Sequence, residues 1–87
     1  MKIDYSKKFL KQFQKCPNEI RIKFKERLEI FILNKNNIIL NNHSLTGKLK
    51  DSRSINITGD WRAIYQEFYD GKAVLFVAIG MHSQLYK

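Results

Sequence analysis

The apolar residues of this chain follow a helical spacing in its first half and a strand-like alternation in its second half. Between Ser6 and Pro17, apolar side chains recur at the spacing of one helix face, at Phe9, Leu10, Phe13 and Cys16. Ser6 is a favourable N-cap residue, and Pro17 cannot continue a regular helix. The pattern therefore predicts a first helix between these two residues.

The segment from Glu19 to Leu33 carries two apolar periods at once. Alternate positions are apolar, as in a strand, at Ile20, Ile22, Phe24, Leu28, Ile30 and Ile32. A helical stripe is also present, at Ile20, Phe24, Leu28 and Phe31. Fifteen residues without a turn signal are long for a strand, so we predict a second helix. Asn18 is its expected cap, and Pro17 joins the two helices into a hairpin.

Strand-like segments flank this helix hairpin in the sequence. They are Lys2–Tyr5, Arg53–Thr58, Trp61–Phe68 and Ala73–Ile79. Gly80 is expected to end the last strand, and Asp70-Gly71 before it is typical of a tight hairpin turn. The order β-α-α-β-β-β predicts one α+β domain over residues 1–87, with the helix hairpin packed on a mostly antiparallel four-stranded sheet. The pattern leaves open where the first strand joins the sheet.

The turn at Gly59 and Asp60 decides which way Arg62 points. A two-residue loop would place Arg62 on the same face as the isoleucines of the preceding strand. A three-residue loop that starts at Thr58, with Gly59 at a positive φ, places Arg62 on the opposite face. We favour this second register, because an unpaired guanidinium among isoleucines is costly. The alternative is an arginine at the rim of the sheet that reaches water.

The favoured register divides the sheet into two faces. One face is apolar, with Ile55, Ile57, Trp61, Ala63 and Tyr65 opposite Val74, Phe76 and Ala78. The other face is polar, with Ser54, Asn56, Arg62 and Gln66. The apolar face is the one expected to pack on the helices.

Charge gives the first indication of function. Sixteen Lys and Arg residues against eight Asp and Glu residues give a net charge of +8, and the pI is about 9.8. Ten of the sixteen bases lie in the first 44 residues, mostly in the predicted helices. This charge is typical of nucleic-acid-binding proteins. An acidic protein partner, or a lysine-rich surface that serves only solubility, is the alternative.

Targeting signals and disulfide chemistry are not indicated by the sequence. No apolar run approaches the roughly 20 residues of a membrane helix, and the N-terminus lacks the apolar core of a signal peptide. The lone Cys16 fits a reducing compartment. We therefore expect a cytoplasmic protein without a membrane partner.

Two histidines are the side chains best suited to acid–base chemistry near neutral pH. His43 precedes the run of three strands and His82 follows it, so a meander brings both over one face of the sheet. Asp60 and Arg62 reach the same place from the turn. These groups would suffice for RNA cleavage without a metal, although isolated surface histidines often have no function. No metal site is expected, because there is one cysteine and no close pair of histidines.

Several short motifs resemble a known family. Residues 43–47 read H-S-L-T-G, residues 59–65 read G-D-W-R-A-I-Y, and residues 80–82 read G-M-H. In this order they resemble the H-x-L-x-G, G-D-[WY]-R-x-I-Y and G-x-H pattern of the RelE/ParE toxin superfamily. The YafQ-like branch is the most similar. The resemblance covers most of residues 41–86 and implies the RelE-like fold.

The resemblance also implies a function. Toxins of this kind belong to type II toxin–antitoxin pairs and cleave mRNA in the ribosomal A site, without a metal or another cofactor. They leave a 2′,3′-cyclic phosphate or a 3′-phosphate. The implied partners are mRNA, ribosomal RNA and a small antitoxin protein that folds on binding.

The family's catalytic residues map onto five positions of this chain. The YafQ-like pattern implies His43, Asp60, His82 and Tyr86, and the RelE-like pattern implies Arg62. Our hypothesis makes His82 the general acid and Arg62 a ligand of the scissile phosphate. The base is His43 or Asp60, unless Asp60 only orients an imidazole.

Further residues are candidates for binding RNA. Lys48, Lys50 and Arg53 are expected to hold flanking phosphates, and Tyr86 to stack on a base. A solvated loop and simple packing of the tail are the corresponding structural alternatives. The candidates for contacts with ribosomal RNA are seven basic residues of the predicted helices, namely Lys7, Lys8, Lys11, Lys15, Arg21, Lys23 and Lys25.

Two positions depart from the family pattern. YafQ-like proteins can carry a further acid and histidine on the strand before the turn, where this chain has Ser54 and Asn56. A weaker nuclease, or a homologue that only binds RNA or antitoxin, therefore remains an alternative. A ParE-like gyrase inhibitor is a second alternative. His43, Asp60 and His82 argue against it, because a gyrase inhibitor needs no set of acid and base groups.

Overall fold

The computed structural model describes residues 1–86 and has a five-stranded sheet with a helix hairpin on one face. The strands are β1 (Lys2–Tyr5), β2 (His43–Ser44), β3 (Arg53–Thr58), β4 (Trp61–Phe68) and β5 (Ala73–Met81). The helices are α1 (Lys7–Lys15), α2 (Asn18–Leu33) and α3 (His82–Leu85). Two 3₁₀ turns lie at Ile38–Leu40 and Gly47–Leu49.

The sheet has one more strand than the sequence pattern indicates. Its order is β1-β5-β4-β3-β2, with β1 parallel to β5 and the other neighbours antiparallel. The additional strand is β2, which pairs His43 with Ser54 and Ser44 with Arg53. The prediction of four strands was wrong here, because two residues in a polar connection carry no alternation to detect.

The predicted N-cap residue is correct for α1 and wrong for α2. The Ser6 hydroxyl accepts a hydrogen bond from the Phe9 amide at 3.0 Å, which confirms Ser6 as the N-cap of α1. Asn18 is not a cap: it is the first residue of α2, and Pro17 occupies the cap position. Within residues 1–86, no helix has the length and apolar character needed to cross a membrane.

The core lies between the helix hairpin and one face of the sheet. Phe9 of α1 and Phe24 of α2 each lie within 5.8 Å, centroid to centroid, of the Phe76 ring on β5. Phe31 packs edge-on against Tyr65 of β4 at 4.9 Å. These side chains are at most 2 % exposed. Apolar burial at this interface is the main source of stability and fixes the sheet relative to the hairpin.

The turn between β3 and β4 combines a short loop with a β-bulge. Thr58 pairs with Trp61, so the loop is two residues long, and Gly59 has a φ of +49° as expected. The prediction of a three-residue loop was wrong. Ile57 is the extra residue of a bulge, which restores the register so that Asn56 pairs with Arg62. The predicted face of Arg62 is therefore confirmed, but a bulge rather than a three-residue loop places it there.

A second bulge lies in β5. Tyr65 pairs with Phe76 and Ile64 pairs with Ala78, which leaves Val77 as the extra residue. Ala78 therefore faces away from the helices, and Ile79 enters the core in its place. This corrects the prediction for Ala78. Gly80 does not end the strand as expected, because it pairs with Arg62 and β5 continues to Met81.

Candidate active site

The face of the sheet opposite the helix hairpin carries most of the predicted site residues. Strand pairing aligns one row across this face, consisting of His43, Ser54, Ile64 and Ala78. The neighbouring row consists of Asn56, Arg62 and Gly80. Helix α3 and Tyr86, here called the tail, lie over part of it, so we call it the tail-side face. Ser54 and Ile64 are buried although they lie on the face opposite the helix hairpin.

His43 is exposed on the edge strand β2, and its imidazole has a defined hydrogen bond. Its Nδ1 lies 2.8 Å from the carbonyl oxygen of Asn41, a residue with a φ of +45°. A carbonyl oxygen only accepts, so Nδ1 carries the proton of this bond. In the neutral ring Nε2 is then an unprotonated acceptor. This is the form that a general base requires.

Asp60 and His82 are brought together through the backbone. The His82 amide donates to the Asp60 carbonyl oxygen at 2.8 Å, which anchors the start of α3 to the β3–β4 turn. Both side chains are exposed. Within residues 1–86 the Asp60 carboxylate forms no ion pair, and no group of three or more His, Cys, Asp or Glu side chains is placed to hold a metal ion.

The guanidinium of Arg62 folds back over the same turn. Its Nη1 donates to the carbonyl oxygens of Gly59 at 2.7 Å and Trp61 at 3.0 Å. Within residues 1–86 its Nε and Nη2 groups donate no hydrogen bond, so their hydrogens are available to an anion. Beside it, the Oδ1 atom of Asn56 is buried without a hydrogen-bond partner in the described part of the chain. Arg62 is thus a cation on the tail-side face, restrained by the turn.

Tyr86 links the tail to the sheet. Its hydroxyl donates to the Ser54 hydroxyl at 2.9 Å, and its ring lies 4.5 Å from the His82 imidazole, centroid to centroid, at 60°. Ser54 is the direct strand partner of His43. One continuous set of contacts therefore joins the positions of the two histidines across the tail-side face.

The predicted RNA-binding residues do not all lie together. Lys48 and Tyr86 line a groove of about 480 Å³ between the Gly47–Leu49 turn and the tail. Lys50 follows this turn and is exposed. Arg53 pairs with Tyr65, which places it on the helix-side face. The structure therefore brings Lys48 to the same groove as Tyr86, whose ring contacts His82, and does not bring Arg53 there.

Comparison with known proteins identifies the family. A family model described as "Bacterial toxin of type II toxin-antitoxin system, YafQ" matches residues 1–87. The chain belongs to the YafQ toxin family. The resemblance inferred from the three motifs is therefore confirmed. Among curated protein sequences, none matches the chain.

Solved structures of YafQ toxins have the same fold as this chain. YafQ from E. coli strain BL21(DE3) is 25 % identical, with a TM-score of 0.81 over 98 % of this chain and 97 % of that one. YafQ in the E. coli DinJ-YafQ toxin-antitoxin complex is 26 % identical, with a TM-score of 0.75 over 98 % and 96 %. A YoeB/ParE toxin from Agrobacterium tumefaciens is 15 % identical and shares the fold, with a TM-score of 0.78 over 94 % and 99 %.

Sequence reasoning missed Asn42, the residue before the first YafQ-like motif. Its Nδ2 donates to the Tyr65 hydroxyl at 2.6 Å and to the Lys35 carbonyl oxygen at 3.0 Å. Its Oδ1 accepts from Arg53 Nε at 2.9 Å. Burial raises the pKa of Tyr65, so its hydroxyl is protonated at neutral pH. The alternation that puts Ile55 on the apolar face also puts Arg53 there, and this signal was available in the sequence.

Proposed function

We propose that this YafQ-family toxin is a ribosome-dependent endoribonuclease that cleaves mRNA and blocks translation in the cytoplasm. The observation that carries the proposal is the arrangement of His43 and His82 around Ser54 and Tyr86 on one face, beside the cation Arg62. Two imidazoles and a guanidinium suffice for RNA cleavage by attack of a ribose 2′-hydroxyl.

In this mechanism His43 is the general base. Its Nδ1–H is held by the Asn41 carbonyl, so Nε2 accepts the proton of the ribose 2′-hydroxyl. The 2′-oxygen attacks the adjacent phosphorus. Asp60 then has no part in proton transfer and serves to orient groups at the turn. Its main-chain carbonyl oxygen accepts the hydrogen bond of the His82 amide there.

His82 is the general acid, and Arg62 stabilises the charge that develops on phosphorus. As the bond from phosphorus to the 5′-oxygen breaks, protonated His82 gives its proton to that oxygen. The free Nε and Nη2 hydrogens of Arg62 bind the non-bridging phosphate oxygens. The products are a 2′,3′-cyclic phosphate and a 5′-hydroxyl, and the two histidines end with exchanged protonation states.

Two macromolecular partners follow from this proposal. Lys48, Lys50 and the exposed lysines of α1 give the chain an affinity for ribosomal RNA and mRNA phosphates, consistent with a net charge of +8. The second partner is a cognate antitoxin, because a solved relative is a DinJ-YafQ toxin-antitoxin complex. Charge complementarity favours an acidic segment in that antitoxin.

The test is cleavage of mRNA on programmed ribosomes, mapped by primer extension. We expect His43→Gln and His82→Gln each to slow single-turnover cleavage by about 10²–10⁴-fold. Both side chains are exposed, so the variants should keep the unfolding free energy of the wild type within about 0.5 kcal/mol. Wild-type cleavage rates in either variant would remove that histidine from the mechanism.

A parallel assay of gyrase supercoiling separates the proposal from a ParE-like activity. Intact mRNA together with inhibited supercoiling would replace the nuclease proposal with gyrase inhibition. Intact mRNA with unaffected gyrase would leave a homologue that only binds RNA or antitoxin. Cleavage without gyrase inhibition supports the proposal.

A further inference from the structure

The side chain of Asn42 is held from three sides. It donates to the buried hydroxyl of Tyr65 and to the carbonyl oxygen of Lys35 in the turn after α2, and it accepts from Arg53 Nε. Both amide hydrogens are used, as well as one lone pair of the oxygen. We call Asn42 with these three partners the Asn42 clamp.

The clamp fixes the backbone where β2 begins. A strand of two residues with two paired positions is too short to define its own position, so its entry must be anchored elsewhere. Immediately before the clamp, Asn41 has a left-handed φ of +45°, a conformation that its surroundings must stabilise. The carbonyl oxygen of Asn41 accepts the hydrogen bond that His43 Nδ1–H donates.

The position of Arg53 argues against the phosphate contact that was expected for it. Arg53 is half-buried at the start of β3, in register with the fully buried Tyr65, and its Nε donates a hydrogen bond to Asn42. Ser54 and His43 face the other side of the sheet. A phosphate bound near His43 would be separated from the Arg53 guanidinium by the strand itself.

We propose that Arg53 is a positioning residue that acts through Asn42 to orient His43, and that it does not contact RNA. Arg53 and Tyr65 hold the Asn42 carboxamide, which holds the Asn41 carbonyl, which fixes the imidazole with Nε2 toward the substrate. The catalytic role of His43 rests on the proposed function, but its orientation by the clamp exists in the free protein.

The kinetic test compares Arg53→Gln with Arg27→Gln in steady-state cleavage of ribosome-bound mRNA. Arg27 is a matched control, because it is also half-buried and also donates its Nε, to the Ile57 carbonyl oxygen at 2.9 Å, away from His43. We expect Arg53→Gln to lower kcat by about 10–100-fold with KM unchanged. Arg27→Gln should leave both unchanged. A raised KM with an unchanged kcat for Arg53→Gln would overturn the proposal in favour of an RNA contact.

Two further variants separate positioning from loss of folding. Tyr65→Phe removes only the hydroxyl of the clamp and keeps the ring in the core, so it carries the test if Arg53→Gln does not fold. Asn42→Asp keeps an acceptor for Arg53 and for the Tyr65 hydroxyl, whereas Asn42→Ala keeps neither. We expect kcat to fall less in Asn42→Asp than in Asn42→Ala. Equal kcat values for these two variants would contradict the clamp.

A spectroscopic readout distinguishes failure of this inference from failure of the proposed function. Nitrogen-15 NMR of the His43 ring should show the Nδ1–H form in the free wild type and in Arg27→Gln. Arg53→Gln should shift the ring toward a mixture of both tautomers. A wild type that shows this pattern but does not cleave mRNA refutes the nuclease proposal alone. An unchanged tautomer in Arg53→Gln refutes the clamp alone.

Discussion

At the scale of single residues, hydrogen bonds distinguish two histidines that look equivalent in the sequence. His43 is fixed through Nδ1 by a backbone carbonyl, which leaves Nε2 as an acceptor. His82 lies against the Tyr86 ring and is anchored through its own amide to Asp60. The hypothesis left the base open between His43 and Asp60, and this hydrogen bond is the reason why the proposed mechanism assigns it to His43.

Tyr86 offers a test of how the tail supports His82. Tyr86→Phe keeps the ring beside His82 and loses the hydrogen bond to Ser54. One such bond is worth about 1 kcal/mol, so the equilibrium constant for the ordered tail should fall by about fivefold. We expect single-turnover cleavage to fall by up to about fivefold. Rate measurements on ribosome-bound mRNA check this.

The control for that variant is Tyr5→Phe. Tyr5 lies on β1, at the sheet edge opposite β2, and its ring stacks on Phe9 and Phe76. Its cleavage rate should equal that of the wild type. A Tyr86→Phe variant as fast as Tyr5→Phe would show that the hydroxyl has no part in positioning the tail.

Two arginines on neighbouring strands show what the sequence could and could not predict. The cost of placing a guanidinium among isoleucines was enough to predict that Arg62 lies on the face away from Ile55, although the predicted loop length was wrong. Alternation along β3 places Arg53 beside Ile55 on the apolar face, but its positive charge suggested an RNA contact. The partner that stabilises the charge there, Asn42, lies eleven residues away in an irregular connection. Such a pair becomes visible only when the chain is folded.

At the scale of elements, two bulges decide which side chains share a face. Ile57 and Val77 are the extra residues in β3 and β5. Both are β-branched residues of the kind that regular strands contain, so the residue type gives no sign of a bulge. The helices, by contrast, were predictable, because capping and a 3.6-residue period are local properties.

Ser6 ties one of these bulges to the helix hairpin, which gives a prediction for stability. Its hydroxyl caps α1 by accepting from the Phe9 amide and donates to the carbonyl oxygen of Val77 at 3.2 Å. Ser6→Ala removes both bonds. We expect the free energy of unfolding to fall by about 1–2 kcal/mol, measured by urea denaturation.

Ser83→Ala is the matched control for the cap. Ser83 is exposed in α3, and its replacement should change the unfolding free energy by less than about 0.5 kcal/mol. Cleavage by Ser6→Ala should match the wild type at temperatures where both are folded. An equal loss of stability in both serine variants would contradict a specific role for the cap.

At the scale of the whole molecule, positive charge covers both the helices and the surroundings of the site. Residues 1–86 contain three ion pairs, Lys2–Asp4, Lys23–Glu26 and Lys35–Glu67. The exposed lysines of α1 and Lys48 beside the tail groove are not in this set. A chain that enters the ribosome meets phosphates on several sides, and this distribution suits such a setting.

The salt dependence of ribosome binding tests whether the tail groove holds a phosphate. Each cation that contacts phosphate adds about 0.7–0.9 to the slope of log K against log salt. Lys48 lines the groove with Tyr86, whereas Lys72 is exposed in the β4–β5 hairpin, beyond Phe68 at the other end of β4 from the turn at Asp60. Lys48→Ala should weaken binding and lower the slope by about 1.

Lys72→Ala supplies the comparison that gives this slope its meaning, because it removes the same charge from the opposite end of the sheet. If net charge alone drove binding, both variants would weaken it equally at low salt. If the groove holds a phosphate, Lys48→Ala lowers the slope and Lys72→Ala does not. Of these two lysines, only Lys48 would then neutralise a phosphate and cause the release of its counterion. Equal slopes in the two variants would mean that the net charge of +8 attracts RNA as a whole, without a phosphate site in the groove. Arg62 and the tail alone would then orient the RNA at the histidines.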